Sequence, residues 1–265
     1  MVYKRITGAI IAIVVLTFIN ANPAYAAVDM TSVADKLGKY NQQIEERLNA
    51  APDAIQTNWN QYSDHIKISN IELTSKMAYY SYTNGIFINL EADATSSLKV
   101  QSKQKYADLF HEIGHNIGYT LSDLFTGKKG DCISNTYKSK KYHCTLNAML
   151  QMEGQAYFEK IRKQTKSDKK AWEKIDSELK SYDMKDSYEV SDIWDGVSKE
   201  KAKAYCGHTI AANGKKYWND HSVGCEAFAN MYEATIVNKG GKRLIEIYFP
   251  KSYEIFTEEL MLTKD

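Results

Sequence analysis

The sequence lacks a marked excess of charge of either sign. Its 265 residues include 34 Lys and Arg against 33 Asp and Glu, a formal net charge of +1. Binding to nucleic acid depends on a basic surface that neutralises phosphates, so this balance argues against nucleic acid as the main partner. The local lysine clusters lie among acidic and aromatic residues and are typical of solvated faces.

Near the N-terminus, an apolar run long enough to cross a membrane is absent. The run 6–19 has 14 residues, about 21 Å of helix against a hydrocarbon core of about 30 Å. Lys4 and Arg5 precede it, and Ala24-Tyr25-Ala26 follows it. This order predicts a secretory signal peptide over 1–26, cleaved after Ala26, in a secreted or periplasmic protein. A retained anchor is the alternative, but we expect no stable membrane anchor, and 27–265 has the length of one domain.

A C-x-x-C pair is also missing, which argues against a cysteine zinc site. An even number of cysteines in an exported chain instead favours disulfides. Four cysteines allow three connectivities of two disulfides each, and the sequence leaves all three open. Short loop closure favours the one that pairs Cys132 with Cys144 and Cys206 with Cys225.

Hydrophobic spacing predicts an α+β protein that is mostly helical. Apolar residues three and four positions apart predict an N-terminal helical segment at about 28–60, and aromatic and β-branched residues around Asn84-Gly85 predict a hairpin over 77–90. Further helices are expected at 106–119, from Thr145, at 222–237 and after Pro250. The charged segment 160–186 is expected to form a solvent-facing helical excursion. We find no internal repeat and no low-complexity linker.

The predicted helix at 106–119 carries the motif His111-Glu112-Ile113-Gly114-His115. Residues at i and i+4 share a helix face one turn apart, so the two imidazoles can bind one metal ion. Glu112 stands beside them without having to be a ligand, and it can hold the attacking water and accept its proton. This H-E-x-x-H pattern also arises by chance, and the alternative is two histidines that merely share a face.

A catalytic zinc ion requires three protein ligands and an open coordination position. From the residues alone, Glu226 and Glu153 are comparable candidates for the third ligand, and either could be an ordinary solvated glutamate. His208, His221 and His143 lack a supporting spacing.

Three blocks of the chain resemble the zincin superfamily, and within it the gluzincins. They are the hairpin 79–90, Phe110-His111-Glu112-Ile113-Gly114-His115, and the region from 191–194 through His208, Tyr217 and Trp218 to 226–232. The closer likeness is to metallopeptidase-like domains of phage head-associated proteins and some bacterial toxins, and a more distant one is to the catalytic domain of anthrax lethal factor. The cysteines and the signal peptide depart from the phage domains.

The resemblance implies a zinc endopeptidase with Glu226 as the third ligand and Glu153 as a structural residue. It also implies a zincin-like fold, in which a small mixed sheet has an edge strand over the zinc helix. The strand Ile86–Leu90 would then offer its edge to an extended peptide substrate. Tyr217 and His208 are the expected hydrogen-bond donors to the oxyanion.

Two other functions remain open at the level of sequence. One is a secreted binding or toxin-associated module whose zinc is structural or silent, with a fourth ligand such as His143 or Cys225. The other is a zinc amidase that acts on cell-wall material or an acetylated sugar.

Overall fold

A computed structural model describes residues 27–74, 78–95, 104–202, 204–205 and 217–263. The predicted signal peptide, Cys206 and His208 therefore lie outside the described residues. The described part is mostly helical, with one small mixed sheet, which confirms the α+β class. Its helices are α1 Ala34–Leu37, α2 Asn41–Asn49, α3 Asp53–Tyr62, α4 Leu90–Thr95, α5 Ala107–Phe125, α6 Ile133–Thr136, α7 Leu146–Thr165, α8 Asp168–Leu179, α9 Met184–Ser198, α10 Ser222–Val237, α11 Lys239–Tyr248 and α12 Pro250–Leu260; its strands are β1 Ile68–Asn70, β2 Tyr79–Ser81 and β3 Gly85–Phe87.

The N-terminal helical segment consists of α1 to α3, as the apolar spacing predicts. Gly38, at a φ of +54°, ends α1, and Pro52 precedes α3 in an extended conformation. Proline cannot continue a preceding helix but suits the start of the next one. The apolar face of these helices is fully buried, with Ile44, Leu48, Ile55 and Trp59 in the core.

The sheet has the order β1-β3-β2, with β1 parallel and β2 antiparallel to β3. The predicted hairpin is present. Its turn comprises residues 82–84 and does not include Gly85, because Gly85 is the first residue of β3 and pairs with Ser81 of β2. Gly85 has a φ of +92°, and a Cβ there would lie 2.3 Å from the carbonyl oxygen of Lys67. Only glycine fits that approach of β3 to the preceding chain.

The prediction that the strand Ile86–Leu90 is an edge strand is wrong. β3 ends at Phe87 and lies in the centre of the sheet, where the amide of Ile86 donates to Lys67 on one side and the strand pairs with β2 on the other. Leu90 begins α4 instead. A central strand already has both of its hydrogen-bonding edges paired, so it cannot accept a further strand.

Helices α5 and α10 cross in close contact at the centre of the molecule. A Cβ at Gly114 of α5 would lie 2.8 Å from Cα of Ala229 and 3.0 Å from Cβ of Tyr232, both on α10. The missing side chain at Gly114 and the small one at Ala229 let the two backbones approach. This crossing brings the helix that carries His111 and His115 against the helix that carries Glu226.

The charged segment 160–186 is helical, but one face of it is packed. It comprises the end of α7, the whole of α8 and the start of α9. Ala171, Ile175 and Leu179 are buried, and Trp172 stacks on Phe158 of α7 at 4.1 Å between ring centroids. The charges therefore cover only the outer face of a helix that belongs to the core.

Helix α9 also packs against α10. The amide of Asn230 donates to the Asp192 carboxylate at 2.7 Å, and both residues are buried.

Within the described residues, no helix combines the length and the apolarity needed to cross a bilayer.

Candidate metal centre

His111 and His115 occupy adjacent turns of α5 and point to the same side. Their ring centroids are 4.9 Å apart with the rings nearly perpendicular, and their side chains are 11% and 12% exposed. The i to i+4 spacing accounts for this, because such residues lie one above the other on a helix. The motif thus places two imidazoles together in a largely enclosed position.

Glu226 reaches both imidazoles from α10. Its Oε2 lies 3.1 Å from Nε2 of His111, and its Oε1 lies 3.4 Å from Nε2 of His115. One ligand atom from each of the three residues lies within 4.8 Å of the other two, and this largely buried group could hold a metal ion. In the described part of the chain, no fourth side chain belongs to the group. Three protein ligands are typical of a catalytic zinc site, whereas a structural zinc site has four.

The electrostatics of Glu226 fit a metal ligand. Burial alone would raise the pKa of its carboxyl group, but the charges and hydrogen bonds of His115 and His111 outweigh burial and hold the pKa well below its usual range. Glu226 is therefore ionised in the folded protein, as a carboxylate ligand must be.

Glu112, the second residue of the motif, is buried beside the imidazoles at 7% exposure. Burial raises the pKa of its carboxyl group, and the neighbouring His111 and His115 oppose that effect. A carboxylate with a raised pKa in an enclosed position is a better proton acceptor than one in water. These are the properties that a general base needs.

Glu233, which sequence reasoning missed, contacts the other side of His111. Its Oε2 lies 3.2 Å from Nδ1 of His111, and its side chain is fully buried. Glu233 follows Glu226 by seven residues, or two helical turns, so both carboxylates lie on the face of α10 that meets α5. That spacing is the signal by which the sequence could have revealed it. An acceptor at Nδ1 fixes the tautomer that leaves Nε2 free for a metal.

Tyr217 lies at the site, where its hydroxyl donates to Oε1 of Glu226. Burial and the charge of Glu226 raise the pKa of this phenol, so it keeps its proton and remains a donor. The serine hydroxyl of Ser222 donates to the carbonyl of Tyr217 at 2.9 Å, and the neighbouring Trp218 donates to Asp195 of α9 at 2.6 Å. These bonds fix the short segment that carries Tyr217 against α9 and α10. The second predicted donor, His208, lies outside the described residues.

The rival third ligand, Glu153, is engaged elsewhere. Its carboxylate accepts from the backbone amides of Lys251 and Ser252, each at 2.9 Å, and from the Ser252 hydroxyl at 2.7 Å. These amides belong to the first turn of α12, where a helix has unsatisfied donors. Glu153 therefore caps α12. His143 is exposed, and His221 pairs with Asp131 at 2.9 Å.

The predicted pairing of Cys132 with Cys144 is wrong for this structure. Cys132, Cys144 and Cys225 all have free thiols. The segment between Cys132 and Cys144 is not a simple loop, since it contains α6 and then hydrogen-bonds to Glu258 through Tyr137 and Ser139. Short separation along the chain therefore does not bring these sulfur atoms together. The partner predicted for Cys225, Cys206, lies outside the described residues.

The edge strand beside the site is β2. Tyr80 of β2 stacks near His115, with 6.4 Å between ring centroids and 14° between ring planes. The amide of Ile86, which pairs with Tyr80, faces β1. Because Ile86 directs its N–H away from Tyr80, the two residues form a non-hydrogen-bonded pair. In such a pair both residues direct their N–H and C=O groups away from each other, so those of Tyr80 point away from β3 toward the outer edge.

No protein-family profile matches the chain, and neither a curated protein nor a solved structure matches it. The functional assignment therefore depends on the geometry of the site itself.

Proposed function

We propose that this protein is an exported, zincin-type zinc endopeptidase related to the gluzincins. The observation that carries the proposal is the group of His111, His115 and Glu226, with the buried Glu112 beside it. Two imidazoles and one carboxylate are nitrogen and oxygen donors that suit zinc, and a set of three leaves room for water or substrate. When bound, zinc acts as a Lewis acid that acidifies water and polarises a carbonyl group.

Glu112 is the proposed general base. Its carboxylate takes a proton from the attacking water and later transfers it to the departing amine. Glu233 orients the imidazole of His111, because it accepts a hydrogen bond at Nδ1. Tyr217 keeps its phenolic proton, and it is the proposed donor to the oxyanion that develops on the substrate carbonyl.

The outer edge of β2 is the proposed binding surface for the peptide substrate. The backbone of Tyr80 presents a donor and an acceptor there, on the strand that passes His115. An extended peptide can add to such an edge through main-chain hydrogen bonds, whatever its side chains. This replaces the strand Ile86–Leu90 as the expected platform. The N-terminal sequence 1–26 supports action outside the cytoplasm.

A Glu112→Gln variant tests the proposal. We expect zinc to remain bound in about equimolar amount, while hydrolysis of a quenched fluorescent peptide library falls by roughly 10³-fold, within the range for loss of a general base. Glu173→Gln on the exposed face of α8 is the matched control and should leave both measurements unchanged.

Two outcomes would count against the endopeptidase. Turnover that persists in Glu112→Gln would remove the assigned base. Hydrolysis by the wild-type protein of cell-wall amides or acetylated sugars, but not of peptides, would assign the site to an amidase.

A further inference from the structure

Cys132 and Cys225 lie together where α6 meets the first turn of α10. Cys132 directly precedes α6, and Cys225 is the fourth residue of α10. Burial, and then the neighbouring Cys225, raise the pKa of the Cys132 thiol well above its usual value. Both residues are buried, at 0% and 4% exposure. Residues far apart in the sequence are thus brought into one small enclosed space.

The residues next to each cysteine show the same close approach. A Cβ at Gly224 would lie 2.4 Å from Oδ1 of Asn135 and 3.0 Å from Oγ of Ser134, and the side-chain amide of Asn135 donates to Cys225 Sγ at 3.5 Å. Glycine at 224 is therefore what lets the first turn of α10 lie directly on α6.

Both sulfur atoms also contact consecutive residues of α5. A Cβ at Gly118 would lie 2.7 Å from Sγ of Cys132, and the hydroxyl of Tyr119 lies 3.9 Å from Sγ of Cys225. The two thiols are thus confined between α5, α6 and α10. Close approach of two thiols in a fixed frame is the condition for a disulfide.

We propose that Cys132 and Cys225 form a disulfide under oxidising conditions, joining the segment that follows α5 to the helix that carries Glu226. The oxidant is a second disulfide, for which oxidised glutathione serves as the probe. One cysteine sulfur attacks it and releases one reduced glutathione; the second cysteine sulfur then displaces the other glutathione. Two thiols are oxidised, one disulfide is reduced, and the two protons end on the released thiols. The crosslink does not depend on the proposed peptidase activity.

Tryptic peptide mapping can test this connectivity directly, because cleavage after lysine places the four cysteines on four peptides. These are 130–138 for Cys132, 142–160 for Cys144, 204–215 for Cys206 and 217–239 for Cys225. The protein is equilibrated with oxidised and reduced glutathione in two preparations, one folded and one refolded from the reduced, denatured chain. Both are quenched with acid, unfolded, alkylated with N-ethylmaleimide and digested.

We expect the peptides 130–138 and 217–239 to be joined by a bond that dithiothreitol cleaves. Cys132→Ala should abolish the joined species, and Cys144→Ala, the matched control, should retain it. Recovery of Cys132 joined to Cys144, or Cys225 joined to Cys206, would overturn the proposal. So would full alkylation of Cys132 and Cys225 in both preparations.

Thermal unfolding supplies a second measurement. A crosslink that closes so long a loop should raise Tm of the oxidised protein by roughly 5 to 10 °C over that of the reduced protein. Cys132→Ala should lose this redox dependence, and Cys144→Ala should keep it. Equal Tm values for the oxidised and reduced wild-type protein, together with the joined peptides, would show that the disulfide forms but does not stabilise the fold.

Discussion

Oε2 of Glu233 lies 3.2 Å from Nδ1 of His111, on the side of the imidazole opposite Glu226. The ring is held between two buried carboxylates of one helix, two turns apart. Desolvation would lower the pKa of His111, but hydrogen bonds with Glu226 and Glu233 outweigh it and raise the pKa well above its usual value. The hydrogen bond to Glu233 fixes the orientation of the imidazole, and a metal ion at Nε2 would take the place of the proton that the ring shares with Glu226.

Replacing Glu233 should therefore weaken metal binding without removing a ligand. We expect Glu233→Ala to raise the Kd for zinc about 10- to 100-fold, the range for loss of a partner of a ligating histidine. Glu233→Gln keeps an oxygen that can accept from Nδ1 and should show a smaller effect. Competition with a chromogenic chelator measures both. An unchanged Kd in Glu233→Ala, in a protein of wild-type Tm, would reduce Glu233 to a packing residue.

The third ligand can be distinguished by a pair of isosteric changes. Glu226→Gln should lose bound zinc on dialysis, because the anionic donor that faces both imidazoles is gone. Glu153→Gln changes the carboxylate that caps α12 and should retain zinc while losing about 1 kcal/mol of stability. Metal analysis of the two dialysed variants gives the answer, and the reverse pattern would transfer the role to Glu153.

Tyr217→Phe separates catalysis from metal binding. Removal of the hydroxyl deletes the proposed oxyanion donor, so kcat should fall by roughly 10²-fold, with little change in zinc content. Tyr142→Phe is a suitable control, since Tyr142 also donates to a glutamate, Glu254, at 2.6 Å on the surface. Steady-state kinetics on one peptide substrate compare the two. A fall in zinc content that accounts for the whole loss of activity would assign Tyr217 to support of Glu226 alone.

The crossing of α5 and α10 makes Gly114 sensitive to a single added carbon. In an unconstrained helix, replacing glycine by alanine stabilises by about 0.5 to 1 kcal/mol. Here the new Cβ would meet backbone of Ala229 at 2.8 Å, so Gly114→Ala should destabilise by roughly 1 to 3 kcal/mol and weaken zinc binding. Urea unfolding measures the change, with Gln155→Ala on the exposed face of α7 as the control. A stabilised Gly114→Ala variant would show that the helices can separate at little cost.

Glu259 gives a prediction about pH. Its carboxylate is fully buried, and within the described residues neither oxygen has a hydrogen-bond partner. Burial, and then the nearby Cys132 and Glu258, raise its pKa well above the usual value. The folded state thus binds a proton more tightly than the unfolded state, so the stability falls as pH rises above the unfolded pKa of about 4.3.

Glu259→Gln removes that ionisation and should stabilise the protein at pH 7 by roughly 1 to 3 kcal/mol. The gain should vanish as pH falls below about 4, where the wild-type carboxyl group is protonated in both states. Urea unfolding at a series of pH values measures it. A gain that does not change with pH would show that repacking, rather than ionisation, is responsible.

Glu258 serves as a control, because its pKa is shifted in the opposite direction to that of Glu259. Burial alone would raise the pKa of its carboxyl group, but hydrogen bonds from Ser139, the amide of Lys140 and Tyr137 lower it. Its contribution to stability is present above the unfolded pKa and is lost as pH falls through the folded pKa. Glu258→Gln should therefore destabilise the protein at neutral pH.

The helices were predictable where apolar residues recur with helical spacing. α5, α7, α10 and α12 begin close to the expected residues, because capping residues, prolines and apolar faces are local signals. α11 was missed, since two glycines follow its first lysine and disfavour a helix on their own. Its buried Leu244 and Ile245 stabilise it through tertiary packing.

The sequence by itself determined that His111, Glu112 and His115 share one helix and that the two imidazoles point the same way, because helical periodicity is a local property of the chain. It also offered Glu226 and Glu153 as comparable ligands. Only the tertiary structure decided between them, since the crossing at Gly114 and Ala229 brings α10 to the imidazoles while Glu153 faces α12.

The same division applies to the edge strand, to Glu233 and to the cysteines. Hairpin residues are readable from sequence, but the pairing of β3 with β1 depends on a distant segment. Cys132 lies beside Cys225 rather than bonded to Cys144 because helix packing, and not separation along the chain, sets the distance between side chains. Local periodicity fixes which face a residue occupies, and only the packing of the whole chain fixes what that face meets.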